Sequence, residues 1–453
     1  MLERRFRVRE RGSSLRVEAL GGLSTFLTMS YILFVNPAIL SAAGVPFKAV
    51  AVATALAAAV TTAAMALLTN YPFALASGLG LNAVVAFDII LGRKLHWPVG
   101  MAAIVLEGLL AIVLVLAGLR EAVMRAIPVS LKLAIGVGIG LFITLVGLRE
   151  GGIVVNDPAT GIALGDLTKG PPLIALGGIL VAAVLGARGV RGSILIGVLS
   201  STALGLIFGV LNGPSGVAEL PHSSSFSTIG DALAWHNIKD ALALALIPTI
   251  FALFMSDFFD TLGTVVAVGG SGDLLDDAGE LPGIRNVLLV DSAAAALGGV
   301  LGVSSVTTYV ESGAGVAEGA RTGLSTLVTA LLFALAIFFV PIISLVGQSV
   351  KFAGGTINPA VAPALVMVGY LMMRLVPGID WATPEIALPS FLIIAGIPLT
   401  FSIAAGIGFG VFGYVAAMIA RGRWREIHPL MYALVPLFGL YFASGWLSSH
   451  VFS

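Results

Sequence analysis

The sequence predicts an all-α polytopic membrane protein built as two inverted halves of seven spans each. Three observations carry that prediction. Of 453 residues, 58% are hydrophobic and only 11% charged, with a mean hydropathy of +1.05, and no soluble domain of this size is so poor in charge. A polar connection at 212–240, holding Pro214, Gly216, Pro221 and the run Ser223 to Ser225, cuts the chain near its middle after seven apolar segments. An odd number per half makes the second half enter the membrane in the opposite sense. Finally, a short glycine-broken segment recurs at corresponding positions of the two halves, the sequence pointer to a midplane site in such repeats.

Composition also excludes. The formal net charge is zero, which leaves no basic surplus for nucleic acid. Without cysteine there are no disulfides or thiolate metal sites. The five histidines, His96, His222, His236, His428 and His450, lie near loops or ends and form no metal pair. No phosphate loop, nucleophile–His–acid order or H-E-x-x-H motif occurs, so the chain is not read as an enzyme, and neither metal nor cofactor is expected beyond a proton as coupling ion.

Residues 1–18 carry Arg4, Arg5, Arg7, Arg9, Arg11 and Arg16 and no cleavable signal, which fits a basic cytoplasmic arm before a multi-pass protein of the cell membrane. Apolar segments then fall at about 19–40, 48–69, 74–91, 98–118, 129–148, 172–187 and 192–211 in the first half. In the second half they fall at about 241–268, 286–301, 303–317, 323–346, 357–376, 387–402, 404–420 and 429–449. The other long polar connections are 149–171 and 269–285. With the arm inside, Arg120, Arg125, Lys132, Arg188, Arg191, Arg321 and Arg374 also fall inside. Splitting 387–420 at Ser402 to Gly406 puts Arg421, Arg423 and Arg425 there too. The split leaves 429–449 as an extra C-terminal hydrophobic segment. Arg93 and Lys94 fall outside, against the trend, and 269–285 is inside although acidic. Asn36-Pro37, at the end of the first segment, is expected to break its helix.

Chemistry concentrates in a few places. In the tenth segment, Val303 to Val310 is β-branched and hydroxylated, which favours extended backbone, and a short helix is permitted from Glu311. Such backbone at membrane depth must be buried in protein or line a cavity. Its counterpart, Ser77 to Ala86, is glycine-broken and carries a lone amide, Asn82. Asp257 and Asp260 lie three apart on one face of the eighth segment. Intramembrane carboxylates mark substrate paths or proton relays, the alternative here being helix-end groups satisfied by Thr261 or Thr264. Glu311 either accepts paired N–H donors of a planar ligand or caps its own half-helix. Ser304, Ser305, Thr307, Thr308 and Tyr309 divide between lining a site and satisfying backbone. Glu107 is a lone carboxylate of the fourth segment, serving a structural hydrogen bond or coupling. A channel would favour repeated rings of one residue type, and a binding-only receptor would not accumulate its ligand.

At these residues the chain resembles a known family. Thr28-Met-Ser-Tyr-Ile-Leu-Phe-Val-Asn-Pro37, Gly78-Leu-Gly-Leu-Asn-Ala83, Asp257-Phe-Phe-Asp-Thr-Leu-Gly-Thr264, Val306-Thr-Thr-Tyr-Val-Glu-Ser-Gly-Ala-Gly-Val316 and Gly319-Ala-Arg-Thr-Gly-Leu324 resemble the AzgA-like purine permeases. Ala320 stands where a glycine is usual, and Gly313 where an alanine is usual. The resemblance implies proton-coupled uptake of adenine, guanine or hypoxanthine, with uracil or xanthine as the alternative within transport. It implies the fold of the nucleobase–ascorbate transporters, in which the third and tenth segments each pair a short strand with a half-helix and hold substrate between them. It further implies a core domain, here 19–118 and 241–346, an elevator-like movement against a gate domain, here 129–211 and 357–420, and a possible homodimer through the gates. By motif it assigns substrate and proton roles to Asp260, Glu311 and Asn82. Ser305, Thr308 and Tyr309 join them as candidate substrate residues, and Asp257 as a candidate proton carrier.

Overall fold

The computed structural model describes residues 2–118, 127–243, 246–276 and 280–450; Arg120 and Arg125 lie outside them. Among the described residues ten helices are long and apolar enough to cross a membrane. Four shorter apolar helices, Leu79–Gly92, Ser193–Ile207, Pro384–Thr400 and Pro429–Ala443, occupy most of the remaining expected positions.

The first span is two helices, α1 (Leu15–Met29) and α2 (Ile32–Ala42). The expected break at Asn36-Pro37 does not occur. α2 runs through Pro37, and the chain bends earlier, at Ser30 and Tyr31, where the amides of Leu33 and Phe34 turn to the carbonyls three residues back, 3.1 Å away in each case. Proline removes one helical donor and crowds the preceding turn; relaxing that turn upstream keeps Asn36 inside the helix. Next come α3 (Phe47–Thr69) and the first broken segment, strand β1 (Leu75–Ser77) followed by α4 (Leu79–Ala83), which continues as a π-helical stretch Val84–Gly92. The half closes with α5 (Trp97–Leu116), α6 (Val129–Glu150), α7 (Gly170–Ala187) and α8 (Ser193–Ile207). The polar connection 149–171 is not all loop: it folds a hairpin of β2 (Val154–Asp157) and β3 (Gly161–Leu164).

The second half repeats the plan. It holds α9 (Ile247–Ser271), α10 (Ile284–Leu301), the broken segment β4 (Val306–Thr308) with α11 (Ser312–Ala317), then α12 (Gly323–Ala336) and α13 (Val340–Val346). A second hairpin, β5 (Val350–Phe352) and β6 (Gly355–Ile357), precedes α14 (Ala362–Met372), α15 (Pro384–Thr400), α16 (Ile403–Ala420) and the extra α17 (Pro429–His450). α15 and α16 part at Phe401 and Ser402, as the charge placement required. Phe401 takes a left-handed φ of 53°, and the Ser402 hydroxyl caps α16 by accepting from the Ala405 amide at 3.2 Å.

The strands β1 and β4 bring the halves together. They pair antiparallel, Leu75 with Thr308, Ala76 with Thr307 and Ser77 with Val306. The Gly78 amide extends the ladder to Ser305 O, and that of Tyr309 to Ala74 O, both at 2.9 Å. The basic arm packs at the opposite end of the molecule from the two hairpins. There Arg11 donates to the carbonyls of Asn70 and Arg321, at 2.8 and 3.2 Å. Glu18, fully buried in α1, accepts from the amides of Arg321 and Ser325, at 2.8 and 3.1 Å, and so satisfies free donors at the start of α12.

Close approach depends on missing side chains. A Cβ on Gly298 of α10 would stand 2.1 Å from Ser304 O, immediately before β4. Substitution Gly298→Val therefore forces β4 away from α10 and is expected to destabilise the purified protein by about 1–3 kcal/mol, the usual cost of overpacking. A lowered melting temperature in detergent, with Gly263→Ala as an open-space control, checks this.

Candidate functional site

Two carboxylates meet beside the strand pair. Asp260 is exposed on the face of α9 that continues through Gly263, Ala267 and Gly270, also exposed, toward the arm end. Glu311 lies at the junction of β4 and α11, half-buried. It does not cap its half-helix with its side chain; instead Oε1 accepts from the Tyr31 hydroxyl at 2.6 Å. Asp260 and Glu311 are within electrostatic reach of each other and of Tyr31 and Tyr309. The Tyr309 hydroxyl donates across the strands to Ser77 O. Tyr31 thus sits where the first span bends, with its hydroxyl aimed at Glu311. Two carboxyl groups beside two aromatic phenols form an arrangement suited to a flat, N–H-bearing heterocycle.

The other candidate residues face elsewhere. Asp257, one turn from Asp260, is buried and lies within electrostatic reach of Glu107 and Asp291. Ser305 Oγ donates to Glu107 Oε2 at 3.3 Å, and the Thr308 amide donates to Asp291 Oδ1 at 3.0 Å. Thr261, an expected partner of the eighth segment's own carboxylates, donates to Asp291 Oδ2 at 2.7 Å. Asn82 is fully buried; its amide nitrogen donates to Asn36 Oδ1 at 2.6 Å, and its own Oδ1 has no partner. Asn36 in turn reaches Thr54, Ser77 and the Val303 carbonyl at 2.8, 3.2 and 3.3 Å, joining α2, α3, β1 and the approach to β4.

Sequence reasoning missed three of these residues. Asp291 follows Val287-Leu-Leu-Val290 in the middle of a predicted span, a signal as clear as that of Glu107. Asn36 was read only through its proline neighbour, and Tyr31 gives no signal beyond its motif.

At the hairpin end, two cavities of about 530 and 540 Å³ flank Phe401 and share Phe87. Neither is lined by Asp260 or Glu311. Phe87 and Phe401, which line both cavities, pack edge-on against Phe142, with ring centroids 6.2 and 5.4 Å from it. Ser402 Oγ donates to Asp88 Oδ2 at 2.6 Å and lies 2.7 Å from the Tyr441 hydroxyl, so α17 is tied to this end as well.

Inverted halves that exchange strands at mid-depth, with carboxylates on the broken segment and its neighbour, define a membrane transporter. Comparison with known proteins narrows that class. A model described as a permease family matches residues 16–409, a range that encloses every motif of the resemblance, and the chain belongs to that family. It is similar to a permease of Methanocaldococcus jannaschii, 41% identical over 97% of this chain and 98% of that one. The guanine/hypoxanthine permease PbuG of Bacillus subtilis is 40% identical over 96% and 98% of the two chains. The adenine permease AdeP of Escherichia coli is 36% identical over 97% and 95%. Among solved structures, the transmembrane domain of a cyanobacterium bicarbonate transporter, BicA, superposes with a TM-score of 0.61 at 16% identity, over 86% of this chain and 97% of that one. That likeness establishes the fold.

Removing the Asn36 hub leaves the buried Asn82 amide nitrogen without its partner, while Ser77 and Thr54 keep their bonds to the Val303 and Val50 carbonyls. Asn36→Leu is expected to cost about 1–3 kcal/mol for the group left unsatisfied, read as a fall in melting temperature. Tyr31→Phe, which removes one donor to a half-buried group, should leave stability nearly unchanged.

Proposed function

We propose that the protein imports purine nucleobases, adenine, guanine or hypoxanthine, by proton symport across the cell membrane. The observation that carries this reading is the Asp260–Glu311 pair on an accessible face beside the crossed strands. A neutral purine offers ring N–H groups that two carboxylates accept, with Tyr31 and Tyr309 beside its faces or edges. Asn82, with an unpartnered carbonyl oxygen, and the hydroxyls of Ser305 and Thr308 belong to the wall that supports them. The names of the Bacillus and Escherichia relatives support purines over uracil or xanthine. Asp257, Asp260 and Glu311 are the candidate carriers of the coupling proton that the sequence offers.

In this reading the helices that carry the strands, 19–118 and 241–346, form a core that slides as an elevator against a gate of 129–211 and 357–420. The N-terminal arm lies in the cytoplasm, and the exposed small-residue face of α9 below Asp260 opens toward it. A homodimer would form through the gate group, where α7 leaves Leu173, Leu180 and Val184 exposed.

Uptake of labelled hypoxanthine by a strain lacking its own permeases tests the proposal. Wild-type protein should restore accumulation against a gradient. Asp260→Asn with Glu311→Gln should lower uptake about a hundredfold, the equivalent of two charge-assisted hydrogen bonds. Undiminished uptake by the double variant would sink the assignment.

A further inference from the structure

On the far side of β4 from that pair lies a cluster that substrate binding does not use. Glu107 of α5, Asp257 of α9 and Asp291 of α10 are 0%, 2% and 3% exposed. Glycine lets their helices meet: a Cβ on Gly108 would stand 2.4 Å from the Ala296 amide nitrogen, and one on Gly299 2.7 Å from Met101 O. Among the described residues no lysine, arginine or histidine is among the groups acting on any of the three. They do not converge as metal ligands either, since no group of three His, Asp or Glu able to hold a metal occurs among the described residues. Hydroxyl and amide donors from Thr261, Ser305 and Thr308 reach Asp291 and Glu107. Even so, Glu107 Oε1, Asp257 Oδ1 and Thr308 Oγ1 are buried without a hydrogen-bond partner.

Three enclosed anions with no cation repel one another in a medium that screens poorly, and a buried charge without a partner costs far more than a bound proton. An ionised carboxylate only accepts hydrogen bonds, whereas a protonated one also donates. The same fact separates two tasks. A carboxyl that accepts purine N–H groups does so best when ionised, so it is a poor place to keep the coupling proton.

We propose that Glu107, Asp257 and Asp291 hold the coupling proton, apart from the substrate-facing Asp260 and Glu311. The proposal rests on the reading of the chain as a proton-coupled purine carrier. Thr261 and Thr307 lie among them: their hydroxyls are 2.9 Å apart, Thr261 donates to Asp291, and the Thr307 side chain acts on Asp257. Loading forms one O–H bond on a cluster carboxylate and lowers the cluster's negative charge by one; release on the other side breaks that bond. Among titratable groups on the packed elements, Asp260 is the one that also acts on Asp257 and Asp291. Lys48 of α3 pairs with Glu219 at 3.5 Å, Asp88 is engaged by Arg93 and Ser402, and Arg285 of α10 donates to Leu116 O. His236, Lys239 and Asp240, on the surface helix Trp235–Ala241 packed against α5, are not among the groups acting on the three.

The test uses the full chain in proteoliposomes, with Glu107→Gln and Asp291→Asn made separately. Labelled hypoxanthine is followed in counterflow at equal pH, which needs no net proton movement, and in accumulation driven by an imposed pH gradient. Counterflow should stay near wild type while gradient-driven accumulation falls about tenfold, the size of a typical coupling between two sites. Accumulation equal to wild type in both variants overturns the proposal, as does equal loss of counterflow and accumulation in a variant that melts normally. Should a variant fail to fold, infrared difference spectra between high and low pH, which need no substrate, decide the question. A protonated-carboxyl band that persists in Asp260→Asn with Glu311→Gln supports the cluster; a band lost in that double variant overturns it. Absence of hypoxanthine counterflow in the wild type overturns the carrier reading itself. Normal wild-type transport with indifferent variants overturns only the proton assignment.

Discussion

A peptide group at membrane depth has no water to bond, and this constraint governs the molecule. Two segments leave the helical form there, and neither β1 nor β4 can satisfy its own backbone. Each completes the other, through three register pairs and the flanking bonds from Gly78 and Tyr309. Everything around them serves to keep water and lipid away. Helices approach closely through Gly298 and Gly108, and Asn36 joins side chains of the first half to the Val303 carbonyl of the second. Breaking helix continuity at this depth frees backbone and side chains for chemistry, at a cost that only mutual pairing offsets.

β4 also separates two chemical environments. On one side Asp260 and Glu311 stand with tyrosine hydroxyls near an exposed helix face. On the other, Glu107, Asp257 and Asp291 are sealed among hydroxyls. Asp257 and Asp260 come from the same helical turn, yet one belongs to each side. Thr307 of β4 reaches the Thr261 hydroxyl, while Tyr309, just past the strand, ties back to Ser77.

Much of this was legible in the chain. Glycine spacing with β-branched and hydroxyl residues disclosed both broken segments, because irregular backbone in lipid requires that unusual composition. Charge placement located the turn at Ser402, because arginine distribution follows topology. What escaped notice depends on three-dimensional neighbours. The bend at Tyr31 is displaced from the proline that a sequence reader watches, since a helix can absorb Pro37 by relaxing the turn before it. The pairing of Ser305 and the Thr308 amide with Glu107 and Asp291, rather than with substrate-side groups, follows from which helices pack beside the strand. No period in the sequence encodes that packing. The hairpin at 154–164 gives little signal within its polar connection, because its strands are four residues long and carry no strong alternating pattern.

The embedded Glu18 bears on how the protein is made. Its oxygens find their donors on Arg321 and Ser325, 303 and 307 residues later in the chain, and β1 waits as long as the ribosome takes to reach β4. Until then the first half carries an unsatisfied carboxylate and an unpaired strand edge. The nascent half therefore cannot settle in lipid in its final form; it must stay loosely assembled, or sheltered by the insertion machinery, until its inverted twin emerges. Biogenesis of this protein is in that sense a single late event, in which two incomplete halves fold on each other.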